Sequence, residues 1–229
     1  MATGAPDWQG LQWKVETTQR DSLLYPTGKQ MFSDSFTEPP LDWIATGVGT
    51  ETINLTTEHY YSGNASVKLQ TENAANKTAM ILRYIGTPLS KKIGMELTWS
   101  MYVPLGYLEF GFTYSTATRE KTCKVKYVIA DEKWQYLNKD DGMTDIENGN
   151  QPLLCTGGVW NKAKLIIDGD ASKYVSFYSN DVLFNLRDIP IRDVESPGYN
   201  YFIPRITVGS AAVAAPVAGY IDNVTILEE

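Results

Sequence analysis

The stretch from Gly157 to Leu186 constrains the fold of this chain more than any other. Residues 159–167 and 174–178 both have β-strand character, and the polar turn Asp168-Gly169-Asp170-Ala171-Ser172 separates them. In the second run Val175 and Phe177 alternate with Tyr174, Ser176 and Tyr178, the period-2 pattern of a strand with two unlike faces. A hairpin of this kind belongs to a large antiparallel sheet, and such sheets serve mainly as platforms for binding.

Strand signals begin at Met31 and continue to the end of the chain. Predicted strands cover residues 31–36, 50–57, 65–70, 80–85, 95–103, 107–114 and 121–129, then 134–137, 159–167, 174–178, 182–186, 202–208 and 220–227. Ser62-Gly63-Asn64 and Asp131-Glu132-Lys133 supply turn chemistry between them. No long amphipathic helical pattern competes, so the expectation is an all-β sandwich or barrel. Leu97, Trp99 and Met101 share one strand face, as do Leu108, Phe110 and Phe112. Val125, Tyr127 and Ile129 oppose Lys124 and Lys126. These sets predict a core layer between two sheets about 10 Å apart. With 229 residues, one domain buries roughly 70–75% of its unfolded surface, enough to need no disulfide staples.

The first thirty residues read differently. Trp8, Leu11, Trp13 and Val15 are apolar, but Gly4, Pro6, Gly10, Pro26 and Gly28 interrupt them. The expected organisation is an N-terminal arm, residues 1–30, followed by a sandwich over residues 31–229. Two exposed Trp would make a poor free surface, so Trp8 and Trp13 are expected to dock the arm on another chain.

Three segments then resemble a known pattern: Phe32-Ser33-Asp34-Ser35-Phe36, Leu41-Asp42-Trp43, and Tyr61-Ser62-Gly63-Asn64-Ala65-Ser66-Val67-Lys68-Leu69. Together they look like the opening of a concanavalin A-like or laminin-G-like jelly roll, an opening shared with carbohydrate-binding modules. The hairpin and the closing Gly219-Tyr220-Ile221-Asp222-Asn223-Val224-Thr225-Ile226 fit the same pattern. The resemblance implies an antiparallel jelly-roll β-sandwich with a concave face where many relatives bind glycans. It also implies that first and last strands lie side by side, so that Asp34 and Asp222 can share a structural calcium; ordinary turn or cap carboxylates are the other reading of the pair. The Gly-Ala-Pro-Asp-Trp start is similar to that of bacteriophage structural proteins.

Charge and composition exclude several partners. The net charge is −7 and no Lys/Arg run longer than the pair Lys91-Lys92 occurs, so no nucleic acid is expected. No apolar run reaches the length of about 18 residues that a membrane span needs. No secretory signal pattern is visible at the N-terminus, which gives the expectation of a chain made in a host cytoplasm and residing in a virion. Cys123 and Cys155 are too few for a zinc site; two buried thiols or a bridge between neighbouring strands are both compatible with the sequence.

Catalytic patterns are missing. The Glu-x-Asp-x-x-Glu strand of glucanases of this fold does not occur, and the single histidine, His59, has no nucleophile elbow to serve. The sequence therefore points to a chain that is not an enzyme. Asp140, Asp141, Asp145 and Glu147 crowd the segment 138–151, which reads as a solvated acidic loop rather than a calcium loop. Trp134, Tyr136, Tyr174 and Tyr178 are the candidate glycan platform, because aromatic faces stack on sugar rings; alternate strand aromatics are also ordinary core. The leading expectation is an interaction or assembly protein that decorates a viral shell or tail, with other subunits, its own or capsid and tail proteins, as partners. The alternative is a carbohydrate-binding module that recognises a polysaccharide.

Overall fold

The computed structural model describes residues 29–37, 42–86, 91–102, 105–155, 158–196, 198, 200–211 and 214–228. Trp8 and Trp13 lie outside them, as does the arm up to residue 28. Residues 29 and 30, assigned above to the arm, already belong to the first strand.

In chain order the strands are β1 (Lys29–Asp34), β2 (Ile44–Val48), β3 (Thr52–Thr56), β4 (Ser66–Gln70) and β5 (Thr78–Leu82). Next come β6 (Lys92–Met101), β7 (Tyr107–Ser115), β8 (Arg119–Val128), β9 (Lys133–Leu137) and β10 (Met143–Asn150). The last six are β11 (Asn161–Asp168), β12 (Lys173–Ser179), β13 (Val182–Phe184), β14 (Arg192–Glu195), β15 (Tyr201–Gly209) and β16 (Ala218–Glu228). The first sheet runs β13-β12-β11-β6-β16-β4-β3, with β1 also on β16; the second runs β10-β9-β8-β7-β15-β5-β2, with β14 also on β8. Every pairing between these strands is antiparallel. The architecture is the expected antiparallel jelly-roll sandwich, and its first and last strands pair as the resemblance implied.

Three strands were not expected: β2, β10 and β14. Two of them are sheet edges and the third adds to one end of β8. Edge strands need bury little, and their sequences, Ile-Ala-Thr-Gly-Val, Met-Thr-Asp-Ile-Glu-Asn-Gly-Asn and Arg-Asp-Val-Glu, lack apolar alternation. The segment read as an acidic loop is thus largely strand, with Asp145 and Glu147 on β10.

The core fills the space between the sheets with side chains from alternate positions. Leu97, Trp99 and Met101 of β6 face Phe110, Phe112, Val125 and Tyr127 of the second sheet, and all are buried. An aromatic cluster sits at its centre: the Trp134 ring lies 4.5 Å from Phe177, 5.0 Å from Tyr127 and 6.2 Å from Trp99, centroid to centroid. At roughly 25 cal/mol per Å² of apolar area, rings of this size carry much of the burial energy. Cys123 and Cys155 are both buried and both free, which decides against a bridge.

Candidate functional site

The structure does not bring the predicted aromatic platform together. Trp134 is fully buried, and its indole N–H donates to Gln151 Oε1 at 3.1 Å. Tyr174 is buried too; its hydroxyl donates to the Leu137 carbonyl at 2.9 Å and receives the Lys124 backbone N–H at 3.2 Å. Burial pushes the Tyr174 phenol well above its ordinary pKa. Tyr136 packs edge-on against Tyr174 at 5.7 Å. Tyr178 lies on the opposite side of its own strand, half-buried on the outer face of the first sheet beside Leu183. The reason is a β-bulge. Ile166 pairs with Ser176 but Ile167 pairs with Tyr174, so Val175 is an extra residue and Tyr174 and Phe177 both turn inward.

Asp34 and Asp222 are turned toward N–H donors rather than toward each other. Asp34 Oδ1 accepts the Phe36 backbone N–H at 2.8 Å, and Oδ2 accepts the Trp43 indole N–H at 3.0 Å with the Arg83 guanidinium 3.8 Å away. Asp222 is fully buried; its Oδ2 accepts the Tyr61 and Ser62 backbone N–H groups at 2.9 Å each, and its Oδ1 that of Asn223 at 2.7 Å. Burial raises the Asp222 pKa, these three bonds work against that, and the charge of Asp34 adds to it. Both carboxylates cap backbone and side-chain donors, the alternative role weighed above. Among the described residues no group of three or more His, Cys, Asp or Glu is placed to hold a metal ion. Asp145 is likewise engaged, by Gln135 at 2.8 Å and Lys133 at 3.2 Å, which hold its carboxyl below the usual range.

A different set of groups converges on the outer face of the second sheet. Phe110 and Phe112 of β7 point into the core, so Glu109, Gly111 and Thr113 point out; on β8 the outward residues are Thr122, Lys124 and Lys126, and on β15 they are Arg205 and Thr207. Register aligns Arg205, Gly111 and Lys124 across the three central strands, with Thr207, Glu109 and Lys126 in the next row. Lys124 Nζ is 3.1 Å from Glu109 Oε1. Lys126 Nζ stands 4.2 Å above the Tyr107 ring, within range of a cation–π contact. Neither Lys126 nor Arg205 has a carboxylate partner among the described residues.

Arg205 is the unusual member. Its Nε is sealed from solvent and meets no hydrogen-bond acceptor, and a buried donor left in that state costs about 1–3 kcal/mol. Beside it, Gly111 leaves a dent in the sheet lined by Glu109, Thr113, Thr122, Lys124 and Arg205. No other residue fits there. A Cβ on Gly111 would lie 2.1 Å from the Cys123 carbonyl oxygen and 2.6 Å from Lys124 Cα. Nothing in the apolar alternation of these strands announces the site; the visible signal is the run of polar residues on their outward positions.

Neither a protein-family model nor a curated protein matches the sequence. Solved structures do share the fold. An endo-β-1,4-glucuronan lyase from the fungus Trichoderma reesei superposes with a TM-score of 0.62 at 10% identity, over 88% of this chain and 96% of that one. The β-glucanase of Bacillus licheniformis gives 0.52 at 12% identity, over 89% and 100%. A carbohydrate esterase from the Shiga toxin-encoding bacteriophage phi24B gives 0.51 at 13% identity, over 88% and 100%. At these identities the similarity establishes the concanavalin A-like jelly-roll fold and nothing finer.

It also corrects one expectation. The missing Glu-x-Asp-x-x-Glu motif and the solitary His59 without a nucleophile elbow point to a chain that is not an enzyme, yet the same fold carries a lyase, a glucanase and an esterase. The absence of Glu-x-Asp-x-x-Glu removes a single arrangement of carboxylates and is no argument against the other chemistries of the fold. Each of these three neighbours is named for a reaction on a polysaccharide or carbohydrate. The assembly reading depends on Trp8 and Trp13, which are outside the described residues.

Proposed function

We propose that this protein binds an anionic polysaccharide across the outer face of its second sheet, with a sugar carboxylate received by Arg205. The observation that carries the reading is the Arg205 guanidinium beside the dent at Gly111, which has no carboxylate partner among the described residues and whose Nε meets no protein acceptor. A carboxylate is the planar acceptor that matches a guanidinium in two parallel hydrogen bonds. Lys126 adds a second cation without an acidic partner among the described residues, on a protein whose overall charge is −7. A cationic stripe on an acidic molecule selects locally for anionic ligands and steers them to one face. Thr122 adds a hydroxyl to the same face, where Thr113 and Thr207 are buried. The Trichoderma reesei neighbour is a lyase of glucuronan, a polymer of the charged class proposed here.

Isothermal titration with glucuronan or polygalacturonate oligosaccharides tests the reading. Removing one charge-assisted hydrogen-bonding group should weaken binding roughly 10–100-fold in Arg205→Gln, and added salt should weaken the wild type as well. No binding of these acidic oligosaccharides by the wild type, or equal binding by Arg205→Gln, overturns it.

A further inference from the structure

We infer that the protein has a second carbohydrate site, on the outer face of the opposite sheet, built to take the ring of a neutral pyranose. The loop between β3 and β4, with β4, β16 and the residue after β6, lines an open cleft of about 560 Å³ on that face. Tyr102, directly after β6, is 56% exposed. The ring of His59 stacks on it at 5.7 Å with 30° between planes and meets Tyr220 edge-on at 4.8 Å. Two residues further along the loop, Tyr61 is 42% exposed and lies 6.1 Å from the Trp160 ring.

Polar groups share the cleft with the rings of His59, Tyr102 and Tyr220. Glu58 Oε2 accepts from both Lys68 Nζ and the Tyr220 hydroxyl at 2.9 Å. The Lys68 bond first and the Tyr220 bond second hold the Glu58 carboxyl below its usual pKa, so it stays an ionised acceptor. Gln70 contributes an amide with no side-chain partner among the described residues. A purely apolar ligand would leave the Gln70 amide unpaired, and a purely polar one would gain nothing from the rings. A pyranose has an apolar C–H face and a rim of hydroxyls, and it matches both. The charges of Glu58 and Lys68 compensate each other, so the cleft offers no excess charge for an acidic sugar, in contrast to the face around Arg205.

The loop is also held in place before any ligand arrives. Asp222 fixes the backbone of Tyr61 and Ser62, Ser62 Oγ donates to Asn223 Oδ1 at 3.0 Å, and Ser66 Oγ donates to the His59 carbonyl. A loop backbone fixed in this way loses little freedom on binding. The site uses none of the residues around Arg205 and stands or falls without them.

Native gel electrophoresis of the full chain through gels containing mixed-linkage β-glucan, xyloglucan or galactomannan tests the inference. The wild type should be retarded in at least one gel. Tyr102→Ala, whose thermal melting should be unchanged because the ring is exposed, should weaken that retardation roughly ten-fold in apparent affinity. Tyr220→Phe, which removes one hydrogen bond and keeps the ring, should weaken it less, and Arg205→Gln should leave it intact. Mobility unaffected by all three polysaccharides, equal retardation of Tyr102→Ala and wild type, or retardation abolished by Arg205→Gln each overturns it. The acidic oligosaccharides report on Arg205 and the neutral polymers on Tyr102, so failure of one reading is distinguishable from failure of the other.

Discussion

Asp222 lies beneath Tyr61 and holds its backbone N–H at 2.9 Å, across 161 residues of sequence. A bulge makes this contact. β16 pairs Asp222 with Thr98 but then Thr225 with Glu96, and Asn223 takes a positive φ of 50°, a conformation asparagine tolerates better than most residues. The irregularity turns the carboxylate under the loop, where it satisfies three N–H groups at once. Substituting Asp222→Ala leaves those donors without an acceptor, and a loss of about 3 kcal/mol in urea unfolding is expected. The same variant should also weaken retardation by neutral polysaccharide, since the loop that carries His59 and Tyr61 is released. Full stability in Asp222→Ala would show that the pin is dispensable.

Chelation should not matter. The oxygens of Asp34 and Asp222 already accept N–H bonds from Phe36, Trp43, Tyr61, Ser62 and Asn223. Thermal melting in excess EDTA is therefore expected to coincide with melting in added calcium. A rise in Tm with calcium that Asp222→Asn removes would reinstate the ion.

Arg205 separates stability from binding. In the free protein its buried Nε is unpaired, so Arg205→Met should leave stability unchanged or raise it by about 1 kcal/mol, while affinity for acidic oligosaccharides is lost. A strongly destabilised Arg205→Met variant would mean that the guanidinium supports the fold instead.

The two thiols give a pH signature. Burial pushes the Cys155 pKa up to about 11 and raises that of Cys123 further. Both should be inert to a thiol reagent at neutral pH and should react together on unfolding. Because the folded-state values lie above the unfolded value of about 8.5, the stability linked to protonated thiols is complete below that pH. It is lost as the pH climbs through about 11. Rapid labelling of either cysteine in the native state at pH 7 would contradict this.

The sandwich was legible in the sequence because its central strands alternate cleanly. Leu97, Trp99 and Met101, or Phe110 and Phe112, can face only one way. The glycan platform was misplaced for a local reason: the extra residue Val175 breaks the period, so Tyr174 and Tyr178, four apart, land on opposite faces. Arg205 was invisible because a lone outward arginine on a strand looks ordinary until its partners are counted. Asp222 stands out in the sequence as one half of a calcium pair with Asp34, whereas its partners in the structure are backbone N–H groups. The loop Glu58-His59-Tyr60-Tyr61 did carry a signal, three aromatic rings in four turn residues, which strand periodicity does not weigh.

The two edges of the second sheet are unlike. β10 carries Asp145 and Glu147, and its register with β9 breaks between Asp145 and Asn150. At the far side β2 presents Ile44 and Val48, 50% and 58% exposed. Copies added edge to edge in a continuing row would each have to offer β10 to the next β2, and a charged, bulged strand is a poor template for that. Of the two edges, β2 is therefore the more open to an added strand, and β10 is the one that its charges and broken register guard.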